Sequence, residues 1–166
     1  MVININSESK INIDVATQKL QLNNSNGVVF EATIATAKNG VGELYGSECT
    51  PRGQHIIRAK IGIGEPENTV FIARRSTGEI YSKVLKQQYP QRDWILTRVM
   101  WLSGLDINKN RLGKVDTMRR YIYIHGCPDE DILGTPSSHG CIKMHNKDVI
   151  TLFDMVNVGT LVIIED

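Results

Sequence analysis

The sequence predicts a mainly β fold, a sandwich or a barrel-like sheet, on three observations. Short stretches of alternating apolar and polar residues fill the first two-thirds of the chain. Turn signals separate them at roughly the 8–12-residue spacing of sandwiches and barrels. Convincing helical periodicity occurs once, near the C-terminus.

Taken in order, Met1 to Lys10 alternates, as do Ile11–Val15 and Lys19–Leu22. A period of two marks a strand with one buried face. Asn24-Ser25-Asn26-Gly27 is a hairpin signal before Val28–Ile34, because Asn and Gly tolerate the left-handed backbone of tight turns. Lys38–Gly42 and Thr50-Pro51-Arg52-Gly53 are further breaks; the second leads into a strand over His55–Ile61, and Thr69–Ala73 is another. Gly62–Asn68 reads as a loop, and Lys83–Gln88 as a short helical turn before Pro90. An apolar strand ends near Trp101, and Tyr121–Ile124 is strongly β. Between them Leu102–Thr117 is rich in Gly, Asn and Lys. A connection of that length is often functional, and it is the expected lid over a site. Asn146 is the expected N-cap of a helix with apolar positions Val149, Ile150, Leu152, Phe153 and Val156. Gly159 sits near its end, and Thr160–Ile164 reads as a closing strand.

The chain has 166 residues, so a single domain over 1–166 is expected, large enough to bury a core without disulfides or metal. Lys and Arg total 19 against 18 Asp and Glu. That balance gives no support for a nucleic-acid or anionic-membrane partner. The first residues lack the basic start and the roughly 7–15 continuous apolar residues of a secretory signal. The expectation is a cytoplasmic protein if Met1 is the native start, and a periplasmic one if the chain has been trimmed. Cys49, Cys127 and Cys141 are too few, and odd in number, for a disulfide framework. A buried hydrophobe is the plain reading for Cys49.

His125, His139 and His145, three of the four histidines, fall within 21 residues, with Cys141 among them. His125 ends a β segment and precedes Gly126, where a rigid strand can hold a side chain at the rim of a site. His139-Gly140-Cys141 lies in a turn-rich stretch after Pro136, Ser137 and Ser138. A thiol is activated by a neighbouring imidazole. Attack on an amide needs that imidazole first as base and then as acid, with donors for the oxyanion. Three readings stay open on the residues alone: Cys141 as nucleophile, a zinc site of His125, His139, Cys141 and His145, or structural side chains. The His-x-Cys pair is tighter than the usual zinc-ligand gaps.

At these residues the sequence resembles the L,D-transpeptidase family, with its YkuD-type catalytic domain. His125-Gly126, then twelve residues from Cys127 to Ser138, then His139-Gly140-Cys141-Ile142-Lys143 is similar to the family's His-Gly and Ser-His-Gly-Cys motif. Thr50-Pro51-Arg52-Gly53 resembles its Thr-Pro-x-Gly turn, and Val158-Gly159-Thr160 its closing strand. The resemblance implies a YkuD-like sandwich or barrel with a short helix after the cysteine. It implies Cys141 as nucleophile, His125 as general base and the Gly126 carbonyl as orienter of the ring. It implies an oxyanion hole from the N–H groups of Gly140 and Cys141, with His139 shaping the turn. The family's motif arginine corresponds to Lys143, which lacks the bidentate fork. Lys143, Ser138, Trp101 and Arg98 are the candidate substrate-binding residues; Arg119 and Arg120, like Arg98, could pair with the carboxylates of a tetrapeptide, but they are left out of the candidates because surface arginines are commoner.

The implied substrate is the tetrapeptide stem of peptidoglycan or a muropeptide, cleaved between the diamino acid and the terminal D-alanine, with no metal and no cofactor. Carbapenem-type inhibitors are implied as ligands. A cytoplasmic enzyme meets only recycled fragments, so the expected activity is L,D-carboxypeptidase with water as acceptor. Amine acceptors would instead give 3-3 cross-links or protein attachment. A muropeptide-binding module without turnover is the reading from another class. Cys127 is expected to be inert; its alternative is a reversible disulfide with Cys141.

Overall fold

The computed structural model describes residues 9–166; the alternating start at residues 1–8 lies outside them. The elements are strands β1 (Lys10–Asp14), β2 (Lys19–Asn24), β3 (Gly27–Ala35), β4 (Gly53–Ile61), β5 (Thr69–Ile72) and β6 (Arg75–Ile80), helix α1 (Lys83–Gln88), and β7 (Ile95–Gly104). A single 3-10 turn at Gly113–Val115 follows, then β8 (Tyr123–Gly126), β9 (Ile142–Met144), helix α2 (Asn146–Met155) and β10 (Leu161–Glu165). The mainly β expectation holds, with the short helix after the cysteine in place.

The hydrogen-bonded order is β4-β10-β1-β2-β3-β9-β8-β7, and β4 also pairs with β7. The sheet therefore closes into a ring, and closure removes the exposed edges that strands otherwise present. The β5–β6 hairpin extends outward from the first residues of β7, Val70 opposite Leu96 and Phe71 opposite Ile95. Two pairs are parallel, β1 with β10 and β8 with β9.

Alternation sets the core. Ile11 and Ile13 of β1, Leu20 and Leu22 of β2, and Val162 and Ile164 of β10 are buried, while their sequence neighbours are not. The parallel register places Ile11 beside Val162 and Ile13 beside Ile164. Val149, Leu152 and Phe153 of α2 join the same apolar cluster, each fully buried side chain contributing about 1.5–3 kcal/mol. The Asn24–Gly27 turn forms as expected: Asn24 Oδ1 accepts from Asn26 N at 2.8 Å and Gly27 takes φ +100°.

The structure corrects three expectations. β6 and β9 were not anticipated, because β6 is largely exposed with a glycine inside and β9 has only three residues. His145, not Asn146, is the N-cap of α2. Asn146 is fully buried inside the first turn, where its Oδ1 accepts from Thr97 Oγ1 at 2.6 Å and its Nδ2 donates to Asn68 and Asp129. The third correction concerns Leu102–Thr117. Asn110 is fully buried and donates to the carbonyls of Arg52 and Gln54 at 2.9 and 3.0 Å, while Asp116 accepts from Leu112 N at 2.7 Å. The segment is pinned to the start of β4, and none of its residues lines the cavity that holds Cys141.

Candidate active site

β8 and β9 position the site. Their parallel register sets Lys143 beside His125 and brings Cys141, just before β9, against Tyr123. His125, Lys143 and Cys141 line one cavity of about 460 Å³, together with Arg74, Asp93 and Tyr121. The structure thus brings together the histidine and cysteine that the sequence singled out.

His125 is buried, with 1% of its surface exposed. Its Nδ1 lies 2.7 Å from the Gly126 carbonyl. A carbonyl only accepts, so Nδ1 carries the proton and Nε2 presents a lone pair. Among the described residues Nε2 has no hydrogen-bond partner. Gly126 is required at this point: a Cβ there would sit 2.5 Å from Asn146 Oδ1 and 2.7 Å from the Leu96 carbonyl. Burial, the largest influence, holds the imidazole below its ordinary pKa of 6.5; the Gly126 carbonyl and Asp93 pull upward and Lys143 downward. The ring is therefore a neutral base near pH 7.

Cys141 is half-buried and its thiol is free. Sγ accepts from Tyr123 N at 3.3 Å and donates to the Tyr121 carbonyl at 3.4 Å. Burial pushes the thiol up to about 12, against the pull of the Tyr123 N–H and the Arg120 charge, while Asp93 adds to the rise. The resting pair is a neutral thiol and a neutral imidazole. Such a pair reacts by moving the proton during attack rather than by storing a thiolate.

The turn before Cys141 is tightly bonded. Gly140 takes φ +131°, and a Cβ would meet Ile122 at 3.0 Å. Ser138 is buried; its Oγ accepts from Gly140 N at 3.2 Å and donates to the Cys141 carbonyl at 2.5 Å. This corrects two expectations. The Gly140 N–H is taken, so it leaves the expected pair of oxyanion donors. Ser138 lines the cavity, but its hydroxyl is used within the turn and has no proton left for substrate. The Cys141 N–H has no acceptor among the described residues. His139 projects from the turn, exposed, with Nδ1 3.9 Å from Asp93.

Lys143 lines the cavity, yet its Nζ pairs with Asp131 at 3.0 Å, so a substrate carboxylate would compete with a partner already in place. Arg98 is corrected outright: it is buried, donates to the carbonyls of Glu65 and Thr97, and stacks over Phe153 at 5.6 Å. β-Strand alternation turns it away from the cavity. Trp101 does not line the cavity either. It packs behind it, donating to the Met118 carbonyl at 3.1 Å and supporting Arg74, whose guanidinium lies 4.6 Å over its ring. Cys127 is fully buried and donates to the Met144 carbonyl; burial pushes its thiol up to about 12, which makes it a poor partner for disulfide exchange. Among the described residues no three His, Cys, Asp or Glu side chains gather as a metal site.

Four contributors escaped the sequence reading of the site. Asp93 and Arg74 come from loops whose proximity only the folded sheet creates. Arg120, set aside as a surface residue, is largely enclosed and donates to the carbonyls of Gly42 and Cys49 at 3.1 and 2.6 Å. Thr50 was noted for its turn, but its partner is Gly140, whose carbonyl accepts from Thr50 Oγ1 at 2.9 Å. Its place in the Thr-Pro-x-Gly turn was the available signal.

The YkuD family model, described as an L,D-transpeptidase catalytic domain, matches residues 8–164. Two Bacillus subtilis proteins carrying an L,D-transpeptidase designation are similar: YkuD is 46% identical over 94 residues, and YqjB is 49% identical over 43. These matches cover 57% and 26% of this chain, and only 47% and 24% of the relatives' own lengths. Among solved structures, an L,D-transpeptidase from Xylanimonas cellulosilytica gives a TM-score of 0.59 at 18% identity, covering 96% of this chain and 61% of that one. L,D-transpeptidase 3 from Mycobacterium tuberculosis, in complex with a faropenem-derived adduct, gives 0.58 at 13%, covering 95% and 60%. LD transpeptidase LdtMt1 in complex with imipenem gives 0.56 at 19%, covering 95% and 58%. At those identities the structural likeness speaks for the fold alone.

Proposed function

The chain belongs to the L,D-transpeptidase catalytic-domain family, and from that premise we propose that it is a cysteine acyl-transferase acting on the tetrapeptide stem of peptidoglycan. The observation that carries this reading is the His125 ring. Its Nδ1 is tied to Gly126, its Nε2 is unpartnered among the described residues, and it shares a cavity with the Cys141 thiol.

In the first half-reaction, Sγ of Cys141 attacks the carbonyl of the diamino acid as Nε2 of His125 takes the thiol proton. The Cys141 N–H faces the oxyanion. The intermediate collapses to a thioester, and His125 returns the proton to the departing amine of D-alanine. The Gly126 carbonyl stabilises the transient imidazolium, as the acid does in a Ser-His-Asp triad. Imipenem or another carbapenem would acylate the same sulfur.

For the second half-reaction we propose water as acceptor, which makes the activity an L,D-carboxypeptidase on free tetrapeptide or muropeptide. What supports this reading is that no residue of the 102–117 segment lines the cavity, which leaves room for water to approach the thioester. One observation favours an amine instead: the exposed carboxylate of Asp93 on the cavity rim suits an incoming ammonium group. The test is incubation with a defined murein tetrapeptide, with and without an added amine acceptor. Free D-alanine and tripeptide are expected. Cross-linked dimer as the only product would transfer the acceptor role to an amine. No D-alanine under either condition would overturn the acyl-transfer reading.

A further inference from the structure

Thr50 lies 90 residues from Gly140 in sequence, yet they meet in the core of the site. Thr50 is fully buried and all of its polar groups are bonded. Its N donates to the Gly40 carbonyl at 3.0 Å, and its carbonyl accepts from Gly42 N at 3.0 Å. Its hydroxyl accepts from Ala37 N at 3.0 Å and stands 2.9 Å from the Gly140 carbonyl. An N–H can only donate and a carbonyl can only accept, so the single hydroxyl proton must point at Gly140. The preceding residue is anchored too, since Arg120 donates to the Cys49 carbonyl at 2.6 Å.

The Gly140 carbonyl and the Cys141 N–H belong to one planar peptide unit. The bond is trans, so the two point in opposite directions across it. Gly140 is in the left-handed region at φ +131°, and a glycine there leaves the adjoining peptide free to rotate. Fixing the carbonyl fixes the N–H. With the Gly140 N–H already bonded to Ser138, the Cys141 N–H is the member of the expected oxyanion pair that has no acceptor among the described residues.

We propose that Thr50 is a positioning residue for the reaction: its hydroxyl locks the Gly140–Cys141 peptide so that the Cys141 N–H is aimed at the developing oxyanion. This rests on the acyl-enzyme reading above. It deepens that reading by assigning a role to a residue outside the His-Gly and Ser-His-Gly-Cys motifs.

The test separates oxyanion stabilisation from the mere placing of the thiol. Iodoacetamide alkylates a cysteine by displacement at a saturated carbon: a C–S bond forms, iodide leaves, and no oxyanion develops. Acyl transfer needs the oxyanion donor; alkylation does not. The parent, Thr50→Val and Thr50→Ser are compared for D-alanine release from tetrapeptide and for the rate of Cys141 alkylation. Loss of an oxyanion donor costs about 10²–10³ in kcat, and loosening one is expected to cost roughly 10–100-fold. Thr50→Val should therefore lose roughly that factor in kcat with KM little changed. Thr50→Ser should recover most of it, and alkylation should stay within about two-fold throughout. If Thr50→Val does not fold, Thr50→Ala removes the hydroxyl with less crowding, and the ratio of the two rates corrects for any unfolded fraction. Unchanged turnover, a parallel fall in both rates, or no rescue by serine overturns the proposal. A parent that is alkylated but never releases D-alanine fails the underlying reading, and the proposal with it.

Discussion

His55 and His125 are built alike up to one nitrogen. Both are buried, and both give the Nδ1 proton to a glycine carbonyl, Gly53 at 3.0 Å and Gly126 at 2.7 Å. At Nε2 they part. In His55 it accepts from the Thr117 hydroxyl at 3.0 Å, so every polar atom of the ring is satisfied. In His125 it meets no protein donor among the described residues and stands beside the Cys141 cavity. The residue is buried, but Nε2 is not among the buried polar atoms left without a partner. His125 lines the cavity, where a lone pair unclaimed by the protein is available for chemistry, whereas a ring satisfied at both ends holds two segments together. Burial and a lowered pKa do not separate the two histidines; the unmet bond does.

The largest effect expected from this contrast is on turnover. His125→Gln should lower kcat by about 10²–10⁴, the usual worth of a positioned general base, with little change in the unfolding midpoint. His55→Gln should do the reverse. It disturbs a saturated buried pair and should cost roughly 1–3 kcal/mol of stability, while the folded fraction keeps its activity. Paired denaturant titrations and D-alanine assays decide this, and a large activity loss in the His55 variant at full folding would erase the distinction.

Next in size is the response of stability to acid. Burial is the main cause holding the His55 pKa at about 4, against 6.5 for an exposed ring. The unfolded chain then binds more protons than the folded one between those values. Stability is full above 6.5 and falls as pH drops toward 4, by roughly 3 kcal/mol over the window. Urea midpoints taken across it should slope accordingly, and His55→Gln should reduce the slope, leaving the part that His125, also lowered by burial, contributes.

Gly126→Ala is expected to cost roughly 1–3 kcal/mol through overpacking, because its Cβ would press on Asn146 and the Leu96 carbonyl. It should also lower kcat by moving the carbonyl that holds His125. The smallest effect is a shift in the pH profile. kcat/KM should fall in acid with a midpoint below 6.5, since burial lowers the His125 pKa. Lys143 contributes to that lowering, so Lys143→Met should move the acid limb upward; an unmoved limb would remove Lys143 from the account of His125.

What the sequence revealed of this contrast follows from how local each feature is. Strands with one buried face, such as Ile11–Ile13 and Leu20–Leu22, announce themselves by alternation. The strand-end His125-Gly126 and the turn around Cys141 were equally legible, since glycine and motif spacing are local facts. Ring closure by β4 and β7 was not, because nothing in either strand names its distant partner. Arg98 and Trp101 were credited by residue type, while strand alternation turned Arg98 from the cavity and packing beneath Arg74 kept Trp101 out of its lining. The partner of Thr50, and the Ser138 bond that takes the Gly140 N–H, exist only once distant segments have met.

The central claim is that Cys141, served by His125, forms the acyl-enzyme. Its most direct measurement is intact mass and peptide mapping after exposure to imipenem. One covalent adduct is expected, mapped to Cys141, absent from Cys141→Ala and formed at least tenfold more slowly in His125→Gln, on the order expected for loss of a general base. An adduct on Cys49 or Cys127, or undiminished D-alanine release by Cys141→Ala, would contradict the account.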